Sequence, residues 1–202
     1  MSSSNKNESS VFSMIKLGLI LAAFSLVSCT LLALVNNATS PVIAENEKQT
    51  AFNAMSSVFN QADSFEEVKD VDFSQFTQGT TVKIKSIYLA KKDGQTIGSV
   101  VQAKGPTYDT AEIMIGVNKE NVVTGLEFLS ITDSPGFGQK AKDSKYTVKS
   151  GKTFYGQFTG LDASLGFTTG ENIDAIAGAT ITSDGVALIA GVAAKAAMGV
   201  IK

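Results

Sequence analysis

The sequence predicts an α+β fold preceded by one membrane-spanning helix, and three observations predict it. A long uncharged apolar segment lies at residues 17–35. Four β-rich segments joined by short turns follow between residues 81 and 132. An Ala-rich apolar segment at residues 185–201 is typical of a packed helix. An antiparallel sheet flanked by helices accounts for this order of elements.

The apolar segment at residues 17–35 is long enough to cross a bilayer. At ~1.5 Å per residue it covers roughly 28 Å, which is close to the thickness of a hydrocarbon core. We place the transmembrane helix at residues 14–36, after a polar tail at residues 1–13 that we expect to be disordered. Lys6 and Lys16 precede the segment, and the residues directly after it carry no basic side chain. The positive-inside rule therefore predicts a cytoplasmic N-terminus and an extracytoplasmic remainder, in the cytoplasmic (inner) membrane of the cell.

Two other interpretations of this segment stay open. The sequence LVSC at residues 26–29 fits a lipobox, which would make Cys29 a lipid anchor, although the chain stays apolar after it. A cleaved signal peptide is the second alternative, although no small-x-small site with a polar continuation is evident. The length favours a retained helix, on which Cys29 is a small membrane-facing residue.

A helix and a connector are predicted at residues 42–80. Pro41 opposes a continuing helix, so we expect a break near it at the membrane surface. Phe52, Met55 and Phe59 follow at helical spacing. This spacing predicts a helix that packs on its own domain, with a partner subunit as the alternative. The acidic rest of the connector fits neither period and predicts an irregular segment.

The folded domain is predicted at residues 81–202. The hairpin dipeptide Asp93-Gly94 separates the first two predicted strands. Beyond the sheet the chain looks loop-rich, except for a short element in which Phe154 and Phe158 can pack together. Alternation and β-branched residues predict four strands, at residues 81–90, 97–103, 110–117 and 122–132.

The helix predicted at residues 185–201 follows Ser183 and Asp184, which are helix-capping residue types. It contains Lys195 and many Ala and Gly residues, so it is only weakly lipophilic. We therefore expect a buried helix of the folded domain and not a second membrane span.

Composition narrows the chemistry that this chain can perform. Its 17 basic and 19 acidic side chains give a net charge of −2, so the basic footprint of nucleic-acid binding is missing. The sequence has no histidine, and Cys29 is its single cysteine. A Ser-His triad, a histidine-ligated metal and a cysteine-ligated cluster within this chain are therefore excluded. We expect no metal site, and redox chemistry would need an organic cofactor.

The motif DAIAGAT at residues 174–180 is the most informative feature of the chain. It stands just before a predicted helix, whose unpaired N–H groups and dipole attract a phosphate. Thr180 adds a hydroxyl beside that position. By itself the motif also fits an ordinary glycine turn that leads into a capped helix.

The motif resembles the flavin-transfer motif of the FMN-binding subunits of Rnf complexes and of sodium-pumping NADH:quinone oxidoreductases. The resemblance implies that Thr180 carries FMN through a phosphoester bond, with Gly178 and Ala179 forming the corner before it. It implies that Thr182 either hydrogen-bonds the phosphate or caps the helix. It also implies a separate flavin transferase that recognises Asp174. A separate enzyme is needed because the chain has no histidine that can activate Thr180.

A second segment, DSPGFG at residues 133–138, is similar to the Thr-Pro-Gly-Leu-Gly loop near the flavin ring in that family. Two glycines let backbone approach a planar ring, and proline stiffens the entry. A plain surface turn is the alternative. Tyr108, Lys140 and Lys142 are weaker candidates for the ring, and the reach of Asp133 stays open. The resemblance assigns ring-side contacts to Ser134, Pro135, Gly136, Phe137 and Gly138.

The resemblance covers the membrane segment, the sheet, the Pro-Gly loop and the flavin motif in the same order, and the short chain favours the Rnf type. It implies a membrane protein that relays electrons through covalent FMN between other subunits of a complex. Such a complex couples electron flow between ferredoxin and NAD to ion transport, and this chain is not expected to be catalytic alone. Three alternatives are the equivalent quinone-reductase protein, a non-redox lipoprotein binding module and a flavin reductase that works alone.

Overall fold

The computed structural model describes residues 4–69 and 71–201. These residues divide after Gln49 into two compact units. In chain order the described helices and strands are α1 (Ser4–Val58), β1 (Ser64–Glu67), α2 (Ser74–Thr77), β2 (Lys83–Lys92), β3 (Gln95–Pro106), β4 (Thr110–Asn118), β5 (Val123–Ile131) and α3 (Thr180–Val200). Short 3₁₀ helices between β5 and α3 lie at Gly138–Lys142, Tyr155–Gln157 and Ala163–Leu165.

The first unit is the part of α1 that precedes Thr50. From Phe12 onward it is long and apolar enough to cross a membrane, and none of its most apolar stretch is buried by protein. Large apolar side chains such as Leu17 and Phe24 are exposed along it. A membrane anchor accounts for this exposure, because water-exposed apolar surface of this extent is unfavourable.

The helical start and the proline region differ from the sequence predictions. The disordered tail predicted for residues 1–13 is wrong for residues 4–13, which are helical, while residues 1–3 lie outside the described residues. A formed helix extends through polar residues at little cost once it is nucleated.

The predicted break near Pro41 is also wrong, since α1 continues through Pro41. Just before the proline, the hydroxyls of Thr39 and Ser40 donate to the carbonyls of residues one turn earlier, at 2.9 and 2.7 Å.

The second unit begins at Thr50 and contains a five-stranded antiparallel sheet in the order β1-β2-β3-β4-β5. The α+β class and the four predicted strands are therefore confirmed, with bounds that shift by a few residues. Asp93 and Gly94 have φ of 50° and 76°, as a type I′ hairpin requires. The compact unit thus starts at Thr50, well before residue 81, which is the predicted start of the folded domain.

The last turns of α1 pack on one face of the sheet. Met55, Val58 and Phe59 are buried there against Val100 and Met114. This confirms the prediction that the helix packs on its own domain. The buried face of the helix differs slightly from the predicted one. Ala54 is buried, whereas Phe52, which is predicted to lie on this face, is 56 % exposed.

The connector predicted to be irregular contains β1 and α2. Phe65 on β1 packs with the α1 side of the sheet, whereas Phe73 and Phe76 pack into the core on the opposite side. The aromatic residues of this short segment pack into two different cores, so their spacing follows neither the helical nor the strand period. This is why the sequence predicts an irregular segment here.

The opposite face of the sheet is covered by α3, which packs mainly on β3 and β4. Its side chains are buried at intervals from Thr182 to Ala197, so α3 is a core helix, as predicted, although it is apolar enough to resemble a second membrane span. Phe154 and Phe158 are fully buried in the same core, with ring centroids 5.9 Å apart.

The start of α3 corrects the sequence prediction. The helix begins at Thr180 and not at residue 185. Ser183 and Asp184 therefore lie inside the helix and do not cap it. Instead, the hydroxyl of Ser183 accepts from the N–H of Ile176 in the segment before α3, and the carboxylate of Asp184 accepts from the hydroxyl of Thr169.

Candidate functional site

A cleft of about 500 Å³ lies at one end of the sheet, within the size range of small-molecule sites (~300–1,000 Å³). Three segments form its walls: the turn between β3 and β4, the loop after β5, and the start of α3. Its lining residues are Tyr108, Ser134, Phe137, Gly138, Gly178, Ala179, Thr180, Ile181 and Thr182.

The wall formed by α3 is an open helix N-terminus. Gly178 has a φ of 79°, a conformation that favours glycine, and Ala179 follows as the N-cap without a side-chain cap bond. The N–H of Ser183 bonds the carbonyl of Ala179 at 3.0 Å, so the N–H groups of the three preceding residues lie ahead of the helical ladder. Thr180, the first helical residue, is exposed at the cleft. This wall therefore offers backbone donors, the positive end of a helix dipole and an exposed hydroxyl to an anionic group.

Ser183 holds the segment before α3 against the helix. Its hydroxyl accepts from the N–H of Ile176 at 2.9 Å and donates to the carbonyl of Ala179 at 2.9 Å. The side chain is fully buried. One hydroxyl thus closes the turn that presents Gly178 and Thr180 to the cleft.

Behind the lining residues, Asp133 joins all three walls. The side chain is 1 % exposed, and one oxygen, Oδ1, accepts from the hydroxyl of Thr107 at 2.6 Å and from the N–H of Asp109 at 2.9 Å. The other, Oδ2, accepts from the hydroxyl of Thr182 at 2.5 Å and from the N–H of Tyr108 at 3.3 Å. A buried carboxylate is favourable only with such a set of donors.

These donors decide the charge of Asp133. Burial by itself raises the pKa of a carboxyl group, but the hydrogen bonds from Thr107, Thr182 and the two backbone N–H groups outweigh it, and the pKa of Asp133 lies below its ordinary value. The group is therefore an anion at neutral pH. Thr182 is 2 % exposed and gives its hydroxyl hydrogen to this anion, so the predicted helix-capping role of Thr182 is wrong, and its hydroxyl has no hydrogen left for a phosphate.

Gly138 is required by packing behind the cleft. A Cβ at this position would lie 2.5 Å from the Cβ of Asp133 and 2.6 Å from the hydroxyl oxygen of Thr182. Such distances are far below van der Waals contact, so a side chain here would push the loop away from α3. The sequence predicts that the two glycines of the loop allow close approach by a ring, whereas Gly138 is needed first for close approach by Asp133.

Exposed apolar side chains surround the mouth of the cleft. Phe137 is 58 % exposed, Tyr108 is 69 % exposed and Ile181 is 61 % exposed. The ammonium of Lys140 lies 6.0 Å from the ring centroid of Phe137 and 5.2 Å from that of Tyr146. Aromatic faces beside an open cleft are suited to stacking against a planar ligand.

Three residues predicted for the site do not line the cleft. Pro135 and Gly136 belong to the loop after β5 but are not among the lining residues, and both are exposed. Asp174 stands apart, with its carboxylate accepting from the N–H of Ser150 at 2.7 Å. The other predicted residues, Ser134, Phe137, Gly138, Gly178, Ala179, Thr180 and Thr182, are brought together there.

Sequence reasoning missed the roles of Asp133, Thr107 and Ser183. Asp133 directly precedes the Pro-Gly loop. Because an acidic residue after a strand is common in exposed loops, the sequence does not indicate that Asp133 is buried. Thr107 and Ser183 carry short polar side chains that look like ordinary turn and cap residues. Within the described residues no group of three or more His, Cys, Asp or Glu side chains is arranged to hold a metal ion.

The cleft fits the parts of a flavin mononucleotide. Its volume suits a ligand of that class, the start of α3 suits a phosphate, and the rings of Phe137 and Tyr108 suit a planar heterocycle. The fit rests on the donor set and on the open aromatic rim of this cleft.

Comparisons with known proteins agree with this geometry. The family model described as the RnfG N-terminal region matches residues 1–58, and that of the FMN-binding domain matches residues 108–195. The chain is 34 % identical to the G subunit of the Na⁺-translocating ferredoxin:NAD⁺ oxidoreductase complex of Acetobacterium woodii, over 85 % of each chain. It is 31 % identical to the G subunit of the proton-translocating ferredoxin:NAD⁺ oxidoreductase complex of Clostridium ljungdahlii, over 90 % of this chain and 89 % of that one. The G subunit of an ion-translocating oxidoreductase complex of Shewanella piezotolerans is 28 % identical, over 84 % and 82 %.

Proposed function

Since the chain belongs to the RnfG family, the G subunits of ion-translocating oxidoreductase complexes, we propose that it is the membrane-anchored FMN protein that relays electrons within such a complex. The observation that carries the proposal is the cleft itself, in which an exposed threonine on an open helix start faces an aromatic rim. Family membership also removes support from the alternative of a non-redox lipoprotein module anchored at Cys29.

The residues of the cleft divide the binding work between them. The N–H groups at the start of α3 hold the phosphate, and Phe137 and Tyr108 hold the ring. When bound, FMN supplies one- and two-electron transfer. Because the cleft is open at its rim, electrons can enter and leave through neighbouring subunits, so the chain acts as a relay and is not catalytic alone.

The FMN is proposed to be covalent, joined to Thr180. The oxygen of Thr180 bonds to the flavin-side phosphorus of a flavin dinucleotide, the pyrophosphate bond breaks, and the adenosine monophosphate half leaves. The hydroxyl proton passes to a base on a separate flavin transferase, because no base of this chain touches Thr180 among the described contacts. Thr180 is favoured over Thr182 because Thr180 is exposed, whereas Thr182 is buried with its hydrogen given to Asp133.

The location proposed for the FMN unit is extracytoplasmic. Lys6 and Lys16 precede the apolar part of α1, so the positive-inside rule leaves the N-terminus in the cytoplasm and carries the unit that begins at Thr50 across the membrane. A covalent bond suits a cofactor outside the cytoplasm, because a lost flavin cannot be replaced from the cytoplasmic pool. The partners of the chain are then the other subunits of the complex, the transferase and the lipid bilayer.

Gel fluorescence tests the attachment site. The chain is produced together with a flavin transferase, solubilised in detergent, denatured, and illuminated after electrophoresis. We expect a fluorescent band that is absent from Thr180→Ala and present in Thr182→Ser, which keeps the hydrogen bond to Asp133. Peptide mass analysis should find FMN less one water on the peptide that contains Thr180. A wild-type chain without bound flavin, or flavin retained in Thr180→Ala, would overturn the proposal.

A further inference from the structure

Asp133 belongs to one wall of the cleft and its side chain bonds to the other two. It touches the β3–β4 turn through Thr107 and the N–H groups of Tyr108 and Asp109, and it touches α3 through Thr182. It belongs itself to the loop after β5. The three walls that it joins are the same three that contribute Tyr108, Phe137 and Thr180 to the cleft.

We propose that Asp133 is the positioning residue of this site: its buried carboxylate fixes the first turn of α3 for attachment of the cofactor and, as a charge behind the cleft, makes the bound cofactor harder to reduce. This inference rests on the proposed function. It concerns a residue that does not itself line the cleft.

The positioning part follows from the place of Thr182. Thr180 and Thr182 lie in the same first turn of α3, so the bond from Thr182 to Asp133 fixes the rotation of the turn that carries Thr180. The missing Cβ of Gly138 lets the loop close against both partners. The N-cap residue Ala179 makes no side-chain cap bond, so without the bond from Thr182 the first turn keeps the Ser183 bonds but loses its link to the loop after β5, and a helix start with fewer such bonds frays more readily.

The electrostatic part follows from burial. Asp133 is 1 % exposed, and it is in contact with Thr182, with Gly138 at its back and Ser134 next in sequence, all of which line the cleft. Solvent screens a buried charge far less than an exposed one. A negative charge one layer behind the cleft opposes the arrival of a further electron there, so it lowers the reduction potential of a cofactor in the cleft.

Asp133→Asn removes the charge while keeping the shape. If the amide nitrogen takes the place of Oδ2, the hydroxyl of Thr182 can turn and accept from it, because a hydroxyl both donates and accepts. The bonds to Thr107 and to the N–H of Asp109 remain. The one bond lost is the long one from the N–H of Tyr108, at 3.3 Å.

The matched control is Asp109→Asn, which removes the same charge from an exposed neighbour. Redox titration of the detergent-solubilised, flavin-bearing chains, followed by visible absorption, compares the two. We expect the midpoint potential to shift to more positive values in Asp133→Asn and to stay at the wild-type value in Asp109→Asn. A wild-type potential in Asp133→Asn, or equal shifts in both variants, would overturn the inference.

A second pair of variants tests positioning even if Asp133→Asn does not fold. Thr182→Val removes the hydroxyl at nearly constant shape, and Thr182→Ser keeps it. We expect the initial rate of flavin attachment to fall several-fold in Thr182→Val and to match the wild type in Thr182→Ser. Equal rates in the two variants would overturn the inference, whereas a wild-type chain that takes up no flavin would instead overturn the proposed function.

Discussion

The side chain of Gln157 bonds both backbone groups of Asp174. Its amide oxygen accepts from the N–H of Asp174 at 2.8 Å, and its amide nitrogen donates to the carbonyl of the same residue at 3.1 Å. Gln157 is 6 % exposed, while the carboxylate of Asp174 stays near the surface on the N–H of Ser150. The first residue of the DAIAGAT motif is therefore held by its backbone, which leaves its side chain at the surface.

Gln157→Leu should destabilise the compact unit. The substitution keeps the apolar packing but leaves the N–H and carbonyl of Asp174 without these partners, at a cost of about 1–3 kcal/mol for each buried group that stays unsatisfied. Urea unfolding of the solubilised chain, followed by circular dichroism of the sheet, measures this loss. The exposed Lys142, changed to Leu, provides the control and should unfold like the wild type. Equal midpoints for both variants would contradict the importance of the Gln157 bonds.

Ser183→Ala should loosen the turn before α3. It removes the hydroxyl that joins Ile176 to Ala179 and leaves the N–H of Ile176 unpaired in a buried place, which costs about 1–3 kcal/mol. Hydrogen exchange measured by mass spectrometry should show faster exchange across residues 176–182, with the sheet unchanged. The exposed Ser144→Ala is the control, and slow exchange retained in Ser183→Ala would show that the turn is held by other contacts.

The same substitution should act in opposite directions at two glycines of α3. A Cβ on Gly185 would lie 2.6 Å from the carbonyl oxygen of Pro106 and 2.8 Å from the Cα of Thr107, and both are backbone atoms that can shift only at a cost. Gly185→Ala should therefore cost about 1–3 kcal/mol. A Cβ on Gly191 meets nothing within 4 Å, so Gly191→Ala should gain up to about 1 kcal/mol from helix propensity.

Urea unfolding midpoints measure both glycine variants. Changes of the same sign would mean that α3 does not approach the β3–β4 turn as closely as described. Because that turn carries Tyr108, Gly185→Ala should also widen the cleft.

Stability at low pH should report on Asp133. Its pKa in the folded chain lies below the ordinary value of about 3.9. Its ionised form therefore stabilises the fold above that value, and this contribution is lost as pH falls through the folded pKa. Unfolding free energies measured between pH 6 and pH 2 should converge for the wild type and Asp133→Asn as the pH decreases. A constant difference across this range would show that the carboxylate is not stabilised by its donors.

Much of this fold follows from the sequence because its strands alternate and its turns carry specific residues. Asp93-Gly94 marked a hairpin in the pattern, and Thr110 to Val117 alternate regularly. The course of α1 differs from the prediction because Pro41 is usually a helix breaker, whereas α1 continues through it.

The cleft was predictable only in part. Residues of the two motifs could be named in advance, and six of them meet with Thr182 at one cleft. The network behind them could not be named, because Asp133 bonds to residues 24 to 49 positions away in the chain. Contacts of such long range depend on the packing of α3 on the sheet and leave no local pattern.

The order of the sheet has a consequence for biosynthesis. Each strand pairs with the strand made just before it, so the sheet can assemble progressively while the chain is still being translated. By contrast, the wall that carries Thr180 belongs to the last helix, whose buried face extends to Ala197. The proposed attachment at Thr180 therefore requires that α3 has been synthesised and packed on the sheet, and we expect a chain cut short within α3 to take up no cofactor.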